Sequence, residues 1–323
     1  GSFHADKIVA NKDLKLVSVM DTVQSVSEKL SEKHGVESFT DLRLFLKTVD
    51  AVVIAAPTSL HYELGVETLK QKKHLLIEKP ICNNSDDAEK LVELADTNKV
   101  VLQVGHIEEF NPAWYAAKSY ILDFADKKPI IIDAIRTSGY TFRSTDVGAA
   151  LDLMIHDIDL VLSITPSKTT FTSAAGFNII GGKHEDITDA RVEFENGTVA
   201  HFFASRVSID AVRTMQIMAA HGKLNIDFAQ KKIELQKIAE KVSAGEFASE
   251  RIKPDELANI QPIFMKEFFE KHKIDNLSGD ALEDEIKDFA NAVKTGKPPK
   301  VTGERGLKAV KLAEKILKSM RCN

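Results

Sequence analysis

The sequence predicts an α/β protein: a doubly wound parallel sheet, then an α+β domain with an open, largely antiparallel sheet. Three observations carry that prediction. Short apolar runs alternate with helix-patterned segments between residues 16 and 105. After about Asn111 the pattern changes to longer strands joined by tight turns. The length, 323 residues with 43% hydrophobic side chains, suits two domains better than one.

Gly1 to Ala10 reads as the opening of a helix. Leu16 to Met20 is a buried strand ending at Asp21, and Val23, Val26 and Leu30 then recur at helical spacing up to Gly35. Ala51 to Ala56 is a second two-sided strand, broken by Pro57-Thr58-Ser59, and its helix carries Leu60, Leu64 and Leu69. His74 to Ile77 has no polar break, as in a strand buried on both faces, and runs into Glu78-Lys79-Pro80. Ser85 is read as the cap of the next helix, with Asp86 and Asp87 in its first turn. Val100 to Gly105 closes the series.

In the second half, Ile130 to Ser138 precedes a helical segment, Val147 to Ile164. Arg191 to Phe194 and Thr198 to Ala204 flank Asn196-Gly197, a strong hairpin signal, and Met215 to Ala220 and Lys223 to Asp227 flank His221-Gly222 in the same way. Residues 229 to 280 are charged and receive no role. Leu282, Ile286, Phe289 and Val293 form one helix stripe, and Ala309, Val310, Ala313, Ile316 and Leu317 another. The division read from this pattern is 1–110, with 303–323 packing back on it, and 111–302.

The charge balance, 43 basic against 48 acidic residues, gives no electrostatic footprint for nucleic acid. No apolar run approaches the ~20 residues of a membrane span. Two cysteines, Cys82 and Cys322, read as reduced thiols, and the compartment expected is the cytoplasm. Cys82 lies three residues from Lys79 but has no base partner in sequence, so no redox role is assigned to it.

Candidate chemistry concentrates at strand ends. Ligand crevices of open α/β sheets lie at the strands' carboxyl ends, where Glu78 and Lys79 fall. A dinucleotide-binding sheet needs a glycine-rich turn and, about twenty residues on, an acidic residue for the ribose. Asp21 stands at that spacing from Gly1, which then matches a third glycine whose strand and partner glycines would precede it. The favoured reading is a Rossmann sheet lacking its first strand in this chain, with Gly1-Ser2 as an appended dipeptide the lesser alternative. Thr22, not arginine, follows Asp21, so NAD is preferred to NADP. Asp152 and His156 are i and i+4 on a helix, so a carboxylate can orient an imidazole for proton transfer. The same cluster also fits a buried structural histidine, a solvated helix or a metal site. No HExxH or cysteine pair supports the metal, and none is expected.

Taken together, Ala56-Pro57-Thr58-Ser59-Leu60-His61, Glu78-Lys79-Pro80, Gly105-His106-(x3)-Phe110-Asn111-Pro112, Asp152-(x3)-His156-Asp157 and the tail Gly303-Glu304-Arg305-Gly306-Leu307 resemble the Gfo/Idh/MocA family of NAD(P)-dependent sugar oxidoreductases. The resemblance implies a Rossmann sheet and a hydride transfer between a sugar secondary hydroxyl and nicotinamide. It implies cofactor contacts at Pro57, Thr58, His61, Glu78 and Asn111, with Phe110 beside the nicotinamide. It also implies a sugar-side set of Lys79, Asp152 and His156, with His156 favoured over Lys79 as base. The segments around Glu109 and His156 look most like members acting on the 3-hydroxyl of UDP-N-acetylglucosamine, although arginine is expected where Glu109 stands. Arg136, Tyr140 and Arg143 can reach a diphosphate, and the surface alternative is equally open. Free monosaccharides or inositols, or a non-catalytic sugar sensor, are the other readings. The open sheet needs cover, so a homodimer or homotetramer is expected. His106, His184, His201 and His221 are read as structural.

Overall fold

The computed structural model describes residues 1–125, 130–142, 145–239 and 268–322, with isolated positions between 242 and 264. The parallel region comprises strands β1 (Ser18–Met20), β2 (Glu37–Phe39), β3 (Ala51–Ile54), β4 (His74–Glu78) and β5 (Leu102–Gly105). They form two pieces, β1-β2 and β3-β4-β5, all in parallel register. Between the pieces, Ser18 Oγ and Thr48 Oγ1 lie 2.9 Å apart. β2 and a five-residue helix, α3 (Leu42–Leu46), were not read from sequence, because three and five residues are too short to show a period.

Helices α1 (Ser2–Ala10), α2 (Gln24–His34), α4 (His61–Lys70) and α5 (Ser85–Asn98) alternate with these strands. Gly35 ends α2 at φ +65°, a left-handed cap that glycine adopts without a Cβ penalty. The cap of α5 is Asn84 rather than Ser85: Asn84 is extended, and its side chain accepts the Asp87 N–H at 2.8 Å. Ser85 is already helical. Its N–H and hydroxyl instead donate to the Glu314 carboxylate at 2.7 and 2.8 Å.

The second region is a nine-stranded sheet, and β6 (Ile131–Thr137) lies in its middle. On one side of β6 come β9 (Val199–Ser205), β8 (Ile187–Phe194) and β7 (Thr169–Phe177). On the other come β10 (Val212–Ala219), β11 (Gly222–Asp227), β12 (Lys232–Ile238) and β13 (Phe269–Ile274). Pairing is antiparallel except β6 with β9, and β7 with the short β14 (Met320–Cys322). The hairpin turn carries Gly197 at φ +82°, as Asn-Gly predicts. β12 and β13 give part of the unassigned 229–280 stretch a place, as the outer strands of the sheet.

One face of this sheet, through Ile132, Ala134, Phe202, Met215 and Ile217, is buried under α6 (Pro112–Ala125) and the segment 150–164. That segment is not one α-helix. Ala150–Met154 is a π-turn, and only Ile155–Ile164 (α7) is α-helical. Helix α8 (Ala281–Thr295) buries Ile286 and Phe289 against Leu76 of β4, although it falls within 111–302. The last helix, α9 (Gly303–Ser319), lies against β5 so closely that a Cβ on Gly306 would meet Val104 Cγ2 at 2.6 Å. It also packs on α7 and β7, so it joins both regions.

Candidate active site

The candidate cofactor residues stand at the carboxyl ends of β1 and β4, in the two pieces of the parallel region, and in the turn before α4. Asp21 ends β1, and its Oδ1 accepts the Val23 N–H at 2.9 Å. Gly1 is the residue that precedes α1. Glu78 ends β4, where burial pushes its carboxyl above the usual range, opposed by the charge of Lys79. A Cβ at Gly105 would meet Glu78 Oε2 at 3.0 Å, so β5 approaches this carboxylate closely. Pro57 is exposed and Thr58 buried at the start of the turn leading into α4. The residues fit a dinucleotide: an acid where a ribose would be held, a second acid ending β4, and a helix start suited to phosphate all stand at carboxyl ends of parallel strands.

His61 is differently placed from the expectation. Its ring is buried between the carbonyls of Pro80, 2.8 Å away, and Ala56, 3.0 Å away. It ties the loop after β3 to the loop after β4. Burial, the larger effect, holds its pKa below the usual value despite both carbonyls.

Lys79 leaves β4 towards the second region, with the Lys79–Pro80 bond cis. Its Nζ donates to the Asp152 carbonyl at 2.6 Å and to Asp152 Oδ1 at 2.8 Å. Asp152 therefore pairs with Lys79 and not with His156. The π-turn explains this: it widens the backbone spiral at Ala150–Met154, so the i, i+4 stacking of a regular helix does not apply. π-turns of this kind recur at functional sites.

His156 is neutral. Burial, then the charges of Lys79, Arg136, His106 and Arg213, push its imidazole well below the usual value. Its Nδ1 is buried with no partner among the described residues. His106, read from sequence as structural, stands edge-on to it with ring centroids 6.3 Å apart. It is 1% exposed, and neither ring nitrogen has a partner among the described residues. Its position after the last parallel strand, inside the Gly105–Pro112 motif, was the available signal. A cation held by a carboxylate beside a neutral imidazole can stabilise an alkoxide and accept a proton. Among the described residues no cluster suits a metal ion.

Other expected residues are committed elsewhere. Arg136 is 3% exposed; it donates to Asp157 Oδ1 and Oδ2 at 2.8 and 2.9 Å and to Glu108 Oε1 at 2.8 Å. Asn111 donates to Glu108 Oε2 and the Phe228 carbonyl, and accepts the Ala113 N–H. Both are therefore framework around the site. Glu109, where arginine was expected, accepts from Arg305, Trp114 and Lys118. Phe110 is buried beneath the Lys300 ammonium. Tyr140 is half-buried, its ring 5.5 Å from the Arg206 guanidinium carbon. Arg143 lies outside the described residues. One link across the crevice was missed: Asp146 Oδ2 accepts the Ser59 N–H at 2.9 Å, joining the second region to the turn before α4.

Residues 1–106 match the oxidoreductase family with an NAD-binding Rossmann fold, and residues 122–225 match the GFO/IDH/MocA C-terminal domain. Among curated relatives, a UDP-N-acetylglucosamine 3-dehydrogenase of Acidithiobacillus ferrooxidans is 28% identical over 98% of this chain and 92% of its own. A myo-inositol 2-dehydrogenase of Thermotoga maritima is 25% identical over 99% and 93%. The solved structure of the Acidithiobacillus ferrooxidans enzyme superposes with a TM-score of 0.83 at 27% identity, covering 99% of this chain and 93% of that one. With both matched regions in order and the fold shared throughout, the chain is an oxidoreductase of the Gfo/Idh/MocA family.

Proposed function

We propose that the protein transfers a hydride between a sugar secondary hydroxyl and NAD, with the 3-hydroxyl of a UDP-N-acetylhexosamine as the substrate group. The observation that carries this reading is the Lys79–Asp152 pair near His156, whose buried Nδ1 has no partner among the described residues. NAD, when bound, supplies the hydride acceptor. The protein's own part is to hold the hydroxyl and move its proton. Lys79, fixed by Asp152, places positive charge where the oxygen gains negative charge, and His156 takes the proton without first having to lose one. Asp21 at the ribose end disfavours a 2′-phosphate, which supports NAD over NADP.

Similarity to the UDP-N-acetylglucosamine 3-dehydrogenase supports a nucleotide sugar, and similarity to the myo-inositol 2-dehydrogenase supports an unmodified polyol as second reading. Steady NADH formation with UDP-N-acetylglucosamine, and little with inositols or free hexoses, is the expected result. Turnover of inositols alone selects the second reading. Cofactor binding without turnover of any of them selects a sensor.

The sheet face opposite α6 and α7 exposes Ile131 and Ile135. We read it as the surface by which copies pair into a dimer or tetramer. A sedimentation mass of one chain would refute that.

A further inference from the structure

Arg136 and Arg213 are directly opposite each other in the antiparallel register of β6 and β10. Paired residues share a face and hold their Cβ atoms ~4.5–5.5 Å apart, and like charges so placed repel. The two arginines have different surroundings. Arg136 is enclosed and takes two carboxylates, Glu108 and Asp157. Arg213 is exposed, and its guanidinium makes no hydrogen bond or ion pair among the described residues. Its backbone is anchored: the carbonyl accepts the Phe228 N–H at 2.9 Å, and Phe228 in turn accepts from Asn111. The alternation that buries Met215 and Ile217 puts Arg213 on the helix-covered face, away from the outer face proposed for pairing. Its charge is felt by both His156 and Asp157, and no hydrogen bond joins it to His156 among the described residues.

We propose that Arg213 holds the anionic substituent of the substrate, which in the reading above is the diphosphate. This inference rests on the nucleotide-sugar reading for the identity of the anion, not for its charge. Oxidation at C3 of a hexosamine places the anomeric substituent two ring carbons from the reacting centre. A cation near His156, but not bonded to it, suits that offset. A planar guanidinium that makes no hydrogen bond among the described residues can take two phosphate oxygens at once. The charge of Arg213 opposes protonation of His156, and a substrate anion on Arg213 offsets that opposition.

The test compares Arg213→Gln and Arg213→Lys with the unsubstituted enzyme on three substrates: UDP-N-acetylglucosamine, N-acetylglucosamine 1-phosphate and N-acetylglucosamine. The readout is the ratio of kcat/KM for each anionic sugar to that for the neutral parent. Arg213→Gln should lower this ratio about tenfold or more, through KM rather than kcat, with partial recovery in Arg213→Lys. An unchanged ratio overturns the inference whichever sugar is preferred. Selective loss on the 1-phosphate by an enzyme that ignores the UDP-sugar keeps Arg213 as the anion site and removes the nucleotide. An unsubstituted enzyme that turns over no anionic sugar removes both.

Discussion

Two clusters of charge flank helix α7, and one is complete where the other is not. In the first, Arg136 spends its donors on Glu108 and Asp157, and Asn111 takes another oxygen of Glu108. In the second, Lys79 is held by Asp152, but Nδ1 of His156 and both nitrogens of His106 meet no partner among the described residues. Leaving a buried polar group unmade costs ~1–3 kcal/mol, so a cluster kept incomplete marks a place that something else finishes. The complete cluster serves as framework; the incomplete one is where the proposed reaction is placed.

The largest effect that sharpens this contrast is on turnover. Lys79→Ala should lower kcat about 10²–10⁴-fold, by removing the charge beside the reacting oxygen, while the far-ultraviolet spectrum is unchanged. Near-native turnover would move the reacting hydroxyl elsewhere. The complete cluster should answer in stability instead. Arg136→Met strands two buried carboxylates and should cost about 3–5 kcal/mol in urea unfolding, whereas replacing Arg136, Glu108 and Asp157 together by apolar residues should cost far less. Equal losses from the single and triple replacements would dissolve the distinction.

Acidity separates the clusters further. Because burial and neighbouring charge keep His156 well below the ordinary imidazole value, it remains neutral when solution pH falls through about 6.5. The acid limb of kcat/KM should therefore lie below that pH. In the unfolded chain the same imidazole does protonate there. Stability should thus fall as pH drops below about 6.5, and His156→Gln should flatten that slope.

The smallest effect lies outside both clusters. Glu285, 1% exposed on α8, has a carboxyl raised well above the usual range by burial and then by Glu78 and Asp288. Its stabilising contribution is whole below about pH 4.3 and is lost as pH rises through the folded-state value. Glu285→Gln should stabilise the protein by about 1 kcal/mol at alkaline pH and leave acid stability nearly unchanged. Identical pH profiles for the two proteins would mean that Glu285 is ionised in the fold.

Much of this arrangement was legible in the sequence because it rests on local pattern. Unbroken apolar runs marked β3, β4 and β5, and Asn196-Gly197 marked the hairpin. Lys79, Asp152 and His156 do converge, since strand ends and helix starts can be located from periodicity. What escaped depends on contacts between distant elements. Arg136 looked available for phosphate because its acids stand 28 and 21 residues away. Asp152 looked like the partner of His156 because a π-turn has no signature of its own in composition. Arg213 belongs to no motif, and only strand register sets it opposite Arg136.

Helix α9 has a consequence for how the molecule is made. Glu314 holds the first turn of α5 across 229 residues of sequence, Thr302 bridges to Gln103 of β5, and the strand after α9 adds an edge to the large sheet at Ala174–Gly176. During synthesis β5 therefore emerges long before the segment that covers it. Closure of such distant contacts is slow, and the uncovered interval exposes apolar surface. The nascent chain must stay soluble through that interval, with its parallel half waiting on the last helix.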